Sequence, residues 1–144
     1  MLIGEYKHSL DPKKRIAIPA KWRKELGKQV VITYGLDKCL SVYPLKQWAK
    51  VMDKVGQMNA GQADTRSFNR FLLGGAVESG VDSIGRVLIP DFLKEYAGLG
   101  SHVVLAGIHN RLEIWDEERW GEYKGRVAKR AEALAEKLGE AGLF

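Results

Sequence analysis

One nine-residue pattern, used twice, constrains this chain more than any other feature. Residues 11–19 read Asp-Pro-Lys-Lys-Arg-Ile-Ala-Ile-Pro, and residues 82–90 read Asp-Ser-Ile-Gly-Arg-Val-Leu-Ile-Pro. Each copy is an Asp, three turn-like positions, an Arg, three aliphatics and a Pro. An Asp side chain accepts hydrogen bonds from backbone N–H groups two residues on, and a following Pro or Gly suits a tight reversal. A closing Pro cannot donate to a sheet ladder and stops the strand before it. Laid on each other, the copies match beyond the motif, with small slips confined to the presumed loops. Gly27 falls on Gly98, Val30-Val31-Ile32 on Val103-Val104-Leu105, and Leu40, Val42, Tyr43 and Trp48 on Leu112, Ile114, Trp115 and Trp120. Two units of about 45 residues are too few and too long for a solenoid, so pseudo-twofold symmetry is expected.

In the first copy, a strand over 5–10, a turn at 11–14 and a return strand over 15–18 lead to a short helix over 20–26 closed by Gly27. Trp22 and Leu26, four apart, form that helix's core face. Strands over 29–34 and 40–43 make a second hairpin, and a helix from Leu45 carries Leu45, Trp48, Met52, Val55 and Met58 along one stripe. Asp64 is the expected N-cap of a linking helix that ends at Gly74-Gly75. The second copy predicts strands over 76–81, 86–89, 102–106 and 111–115 with a helix over 91–97. Asp116 then caps one long final helix, with Glu117 and Glu118 in its first turn. Trp120, Tyr123, Val127, Ala131, Leu134 and Leu138 form a seam on that helix, which packs on its own domain or meets another subunit. The organisation expected is a first repeat over 1–59, a linking helix over 60–75 and a second repeat with its long helix over 76–144.

The 144 residues carry a formal charge of +5, unevenly placed. Residues 1–59 hold 12 Lys/Arg against 5 Asp/Glu, whereas residues 76–144 hold 9 against 12. This asymmetry points to an anionic partner on one face, nucleic acid above all; a solvated lysine-rich surface is the plainer alternative. No apolar run is long enough for a membrane span, and the N-terminus has no export signal, so a cytoplasmic protein is expected. The single Cys39 reads as a small buried hydrophobe. His8, His102 and His109 show no metal-like spacing, and no nucleophile elbow or phosphate loop occurs, so neither catalysis nor a cofactor is expected.

The basic copy of the turn carries the candidate site: Lys13, Lys14 and Arg15 for contact, flanked by Lys7 and Lys21. Asp11 and Asp82 organise the turns, and Arg86 is the second copy's equivalent of Arg15. Cations at a hairpin tip reach phosphates, and a carboxylate-held Arg is preorganised to meet guanine through its planar fork. A two-stranded ribbon also fits the major groove. The plainer role of each Asp–Arg pair is to rigidify its turn. Having lost both lysines and gained Ile84, the second tip is expected to be the weaker nucleic-acid site, with Ile84 facing a partner subunit instead.

Residues 4–15 and 18–23, the second motif and Asn110-Arg111-Leu112-Glu113-Ile114-Trp115 together resemble the MraZ family, bacterial regulators of the division and cell-wall gene cluster. The resemblance runs from about residue 3 to residue 123. It implies an α+β, β-rich, AbrB-like fold: two tandem pseudo-symmetric repeats forming a swapped-hairpin barrel with flanking helices. It also implies ring-like homo-oligomers that bind double-stranded DNA at direct repeats in the promoter of their own operon, hence a nucleoid-associated location. The family's signature carries over to Asp11, Arg15, Asp82 and Arg86. One departure stands out: family members usually place Gly before the first Arg, where this chain has Lys14. Either Lys14 adopts a left-handed conformation, at about 1–2 kcal/mol, or the first tip uses another turn. The rival reading from a different class is an oligomeric protein-interaction scaffold without specific DNA binding.

Overall fold

The computed structural model describes residues 1–142. Among the described residues there are eight strands and six α-helices. The first repeat contains β1 (Leu2–Ser9), β2 (Arg15–Ala17), α1 (Ala20–Leu26), β3 (Gln29–Tyr34), β4 (Leu40–Pro44) and α2 (Leu45–Gly56). Next come α3 (Ala63–Gly74), β5 (Val77–Gly80), β6 (Arg86–Leu88), α4 (Asp91–Tyr96), β7 (His102–His109) and β8 (Leu112–Asp116). After β8 come α5 (Glu117–Lys129) and α6 (Ala131–Glu140).

The repeats are interleaved by strand exchange. The antiparallel six-stranded sheet runs β1-β7-β8-β4-β3-β5, so each repeat's first strand is added to the other repeat's hairpin. The return strands pair with each other in a separate ribbon, β2-β6. Pseudo-symmetry is visible in the register. Ile16 faces its counterpart Val87 in the ribbon, and Ser41 faces its counterpart Glu113 where β4 meets β8. The twofold passes through both pairs. The architecture is the expected α+β, duplicated one, but this pairing leaves an open sheet and a ribbon rather than a hydrogen-bonded closed barrel.

A single core explains why neither half is laid out alone. From the ribbon, Ile16, Ile18, Val87 and Ile89 point inward, each no more than 1% exposed. They meet Val30, Ile32, Leu40 and Val42 of one repeat and Val103, Leu105, Leu112 and Ile114 of the other, closed off by Trp22, Leu26, Leu93 and Ala97. Burying an aliphatic side chain of this size contributes about 1.5–3 kcal/mol. The alternation in each return strand therefore fixes its facing, since a one-residue slip would turn Arg15 and Arg86 into the core.

Three expectations change. The linking helix begins at Ala63 with Gln62 as N-cap, so Asp64 lies inside the first turn, where its charge still suits the dipole. The final helix is two: Arg130 leaves helical geometry at φ −112°, ψ 6°, and divides the seam between Val127 and Ala131. Trp120 and Tyr123 pack by Trp115 on the sheet, whereas no residue of α6 is buried. Finally, the α2 stripe is superficial. Trp48 packs against Tyr43, but Leu45, Met52 and Met58 are each about half exposed. Cys39 is buried as expected, and burial pushes its thiol up to about 12.

Candidate nucleic-acid interface

The ribbon defines the candidate surface. Directly opposed residues share a face and alternate along each strand. With Ile16 and Val87 inward, the pairs Arg15–Leu88 and Ala17–Arg86 face outward. Both motif arginines therefore lie on one outer face, either side of the pseudo-twofold axis. The two tips sit at opposite ends, because the strands are antiparallel.

The same network shapes each tip. At the first, the Lys14 amide donates to the Asp11 carbonyl (2.9 Å), and the Asp11 amide donates to the Arg15 carbonyl (2.9 Å). One oxygen of the Asp11 carboxylate accepts from the amides of Lys13 and Arg15, both at 2.9 Å, and the other accepts Arg15 Nε at 2.7 Å. At the second, Asp82 accepts from the amides of Ile84 (3.1 Å) and Arg86 (2.8 Å) and from Arg86 Nε (2.7 Å). In both cases the backbone hydrogen bond from the Arg is the chief cause holding the carboxyl below the usual carboxylate range; desolvation opposes it, and the Arg side-chain hydrogen bond adds to the lowering. Each Arg donates only Nε, leaving its two Nη groups without a protein partner among the described residues.

The position before each Arg is left-handed in both copies, φ 61° at Lys14 and 83° at Gly85. The first tip thus keeps the turn that a Gly would take. What covers that position differs. Gly85 is buried beneath Arg23 of the other repeat, so a Cβ there would lie 2.2 Å from the Arg23 Nε. Arg23 is fixed by donating Nε to the Ile18 carbonyl at 2.8 Å. Lys14 is exposed, and its Nζ forms an ion pair with Asp91, the first residue of α4, again from the other repeat.

Lys13 is exposed at the tip, with no side-chain partner among the described residues. The two flanking lysines lie elsewhere. Lys7 is exposed on β1 with Nζ 3.6 Å from Glu117 of α5. Lys21 is the second residue of α1, the helix that abuts the second tip through Arg23; its Nζ lies 4.8 Å from the Trp22 ring centre and beside Gly4. The structure therefore gathers Lys13, Lys14 and Arg15 at one end of the ribbon without Lys7 or Lys21. It also adds two residues that sequence reasoning passed over, Arg23 and Asp91. Asp91 directly follows a motif Pro and Arg23 shortly follows the other, and the antiparallel pairing of β2 with β6 carries both to the opposite tip.

Such a layout defines a class: a tandem, strand-exchanged α+β chain with one carboxylate-braced arginine tip per repeat. The model of the family described as "MraZ protein, putative antitoxin-like" matches residues 1–71 and again 72–139. A protein named transcriptional regulator MraZ from Moorella thermoacetica is 47% identical over 138 residues, 96% of each chain. Another of that name from Clostridium beijerinckii is 47% identical over 143 residues, 99% of this chain and 100% of the relative. The chain belongs to the MraZ family.

Proposed function

We propose that this chain is a transcriptional regulator that binds double-stranded DNA through the first tip, with Lys13 and Lys14 on phosphates and Arg15 on a base edge. The observation that carries this reading is one braced turn built twice, with three consecutive cations on one copy and Ser83-Ile84-Gly85-Arg86 on the other. Shared geometry with unequal charge fits a fold that needs both turns and a ligand that needs chiefly one. The ring-like homo-oligomer and the direct repeats in its own division and cell-wall promoter, which the family resemblance implies, belong to the proposal. So do a cytoplasmic, nucleoid-associated location and a division into a DNA-facing repeat over 1–59, a linker over 60–75 and a second repeat over 76–144. Multivalency gives the assembly its purpose, since a weak tip gains affinity when neighbouring tips engage neighbouring repeats at matching spacing.

The test is a titration onto a fragment carrying the chain's own upstream repeats, beside a scrambled fragment of the same length. The expected result is tighter binding to the repeats, falling steeply with salt as condensed counterions are released. Equal affinity for both fragments would remove sequence specificity, and indifference to both and to heparin would favour the scaffold. Among the described residues no helix is long and apolar enough to cross a membrane.

A further inference from the structure

We infer that Asp91 is a specificity-determining residue of the first tip: as an internal stand-in for phosphate, it holds Lys14 and suppresses sequence-independent attraction to DNA. The inference rests on the DNA-binding reading above. Three observations carry it. Lys14 Nζ is paired with Asp91, and the carboxylate is itself highly exposed, 76% against 45% for the lysine. The two residues line one shallow depression with Pro12, Lys13, Leu88 and Pro90, so Asp91 also faces the approach to Lys13. The arrangement has no counterpart at the other tip, where Lys14 and Asp91 are replaced by Gly85 and Ala20, and the opposing side chain is the cationic Arg23.

These features oppose non-specific binding in two ways. A lysine already neutralised by a carboxylate releases fewer counterions on meeting a phosphate backbone, and a phosphate approaching Lys13 or Lys14 also meets the charge of Asp91. A correct site can offset that cost through base contacts to Arg15, whereas a random site cannot. Discrimination is a difference of affinities, and a repulsive element against the wrong partner raises it as surely as an attractive one for the right partner. The Lys14 carbonyl accepts from the Ile89 amide at 2.8 Å, so the backbone stays in place whether or not the ion pair is made.

The experiment compares wild type, Asp91→Asn, Lys14→Gly and the double variant on upstream-repeat and scrambled fragments across a salt series, with thermal melts to check folding. Asp91→Asn is expected to bind scrambled DNA several-fold more tightly, to steepen the log–log salt slope by about 0.9 per tip engaged and to narrow the gap between the fragments. In the Lys14→Gly background the same change should do markedly less, because the pair is already gone. Three outcomes would overturn the inference: unchanged scrambled-DNA binding in Asp91→Asn, weaker binding to both fragments, or an equal gain in both backgrounds. The first would mean an idle ion pair, the second that Asp91 only positions Lys14, and the third a general charge effect. If wild type itself binds neither fragment, the DNA-binding reading fails instead, so the two failures are distinguishable.

Discussion

At the second tip a glycine in left-handed conformation is sealed under an arginine from the other repeat; at the first, a lysine takes the same conformation in the open and reaches an aspartate from the other repeat. The carboxylate network beneath is the same in both, bond for bond. The difference shows how a duplicated fold can separate two demands. The Asp and Arg of each motif maintain the turn, and the inward aliphatics hold the ribbon on the common core. Only the outward positions between them are left to diverge, and there the charge accumulates on one side.

The strongest way to break this comparison is to remove the two arginines in turn. Arg15→Ala is expected to lose about tenfold to more than a hundredfold in promoter affinity, the range for a lost bidentate base contact. Arg86→Ala should lose far less. Asp11 still receives the backbone amides of Lys13 and of residue 15 in the variant, so the tip and the assembly mass should be retained. A gel-shift titration beside a mass measurement reads both, and equal losses at the two arginines would end the functional ranking of the tips.

Exchanging the residues at the left-handed position has the next largest effect, and here the expected asymmetry reverses. Gly85→Ala places a side chain at φ 83° and drives it into Arg23, so it should destabilise by about 1–2 kcal/mol from backbone strain alone, with further loss if Arg23 leaves the Ile18 carbonyl. Lys14→Gly relieves similar strain at an exposed position but adds freedom to the unfolded chain, worth about 0.5–1 kcal/mol. Its net effect should lie within about 1 kcal/mol of zero. Urea midpoints measured at one protein concentration check the pair. A destabilising Lys14→Gly would show that the Asp91 bridge contributes more to the fold than an exposed ion pair ordinarily does.

Salt dependence gives a finer reading. Lys13→Ala should flatten the log–log salt slope of DNA binding by about 0.9 per tip engaged, since one phosphate contact is lost. Ser83→Ala, at the matching place on the other tip, should leave it unchanged. A flattening on both sides would mean that the tips share the phosphate backbone.

Local chemistry was legible in the chain to a considerable depth. The turns, the end of α1 at Gly27, the core positions Trp22 and Leu26 and the cap at Asp116 all follow from residues close together in sequence, and all stand in the structure. What could not be read is what the repeats do to each other. Nothing within residues 11–19 says that Arg15 will lie opposite Leu88, or that a side chain from α1 will cover Gly85; both depend on the pairing of β2 with β6 across the repeats. The same limit hid Asp91, whose partner is 77 residues away. The seam on the last helix was over-extended for a related reason. Its periodicity continues past Val127, whereas the surface it packs on does not, and the chain turns at Arg130.

Acid supplies the smallest effect and the one that probes what the tips have in common. Asp11 and Asp82 both titrate below the usual carboxylate range, chiefly through backbone hydrogen bonds from their own arginines. A carboxyl whose folded pKa is depressed adds stability that is fully present above its unfolded pKa, near 4, and is lost as the pH falls through the lower folded value. These groups therefore leave stability flat between pH 7 and pH 5 and erode it below about pH 4. Asp11→Asn keeps an oxygen for the backbone amides but removes the charge, so it should lower stability at pH 7 and make the decline below pH 4 shallower. Asp82→Asn should do the same by a similar amount, because the networks match. Urea midpoints at pH 7 and pH 3 read the difference. A large inequality between the two variants would mean that the divergence of the tips has reached the turn itself, and that their common backbone is held by different forces.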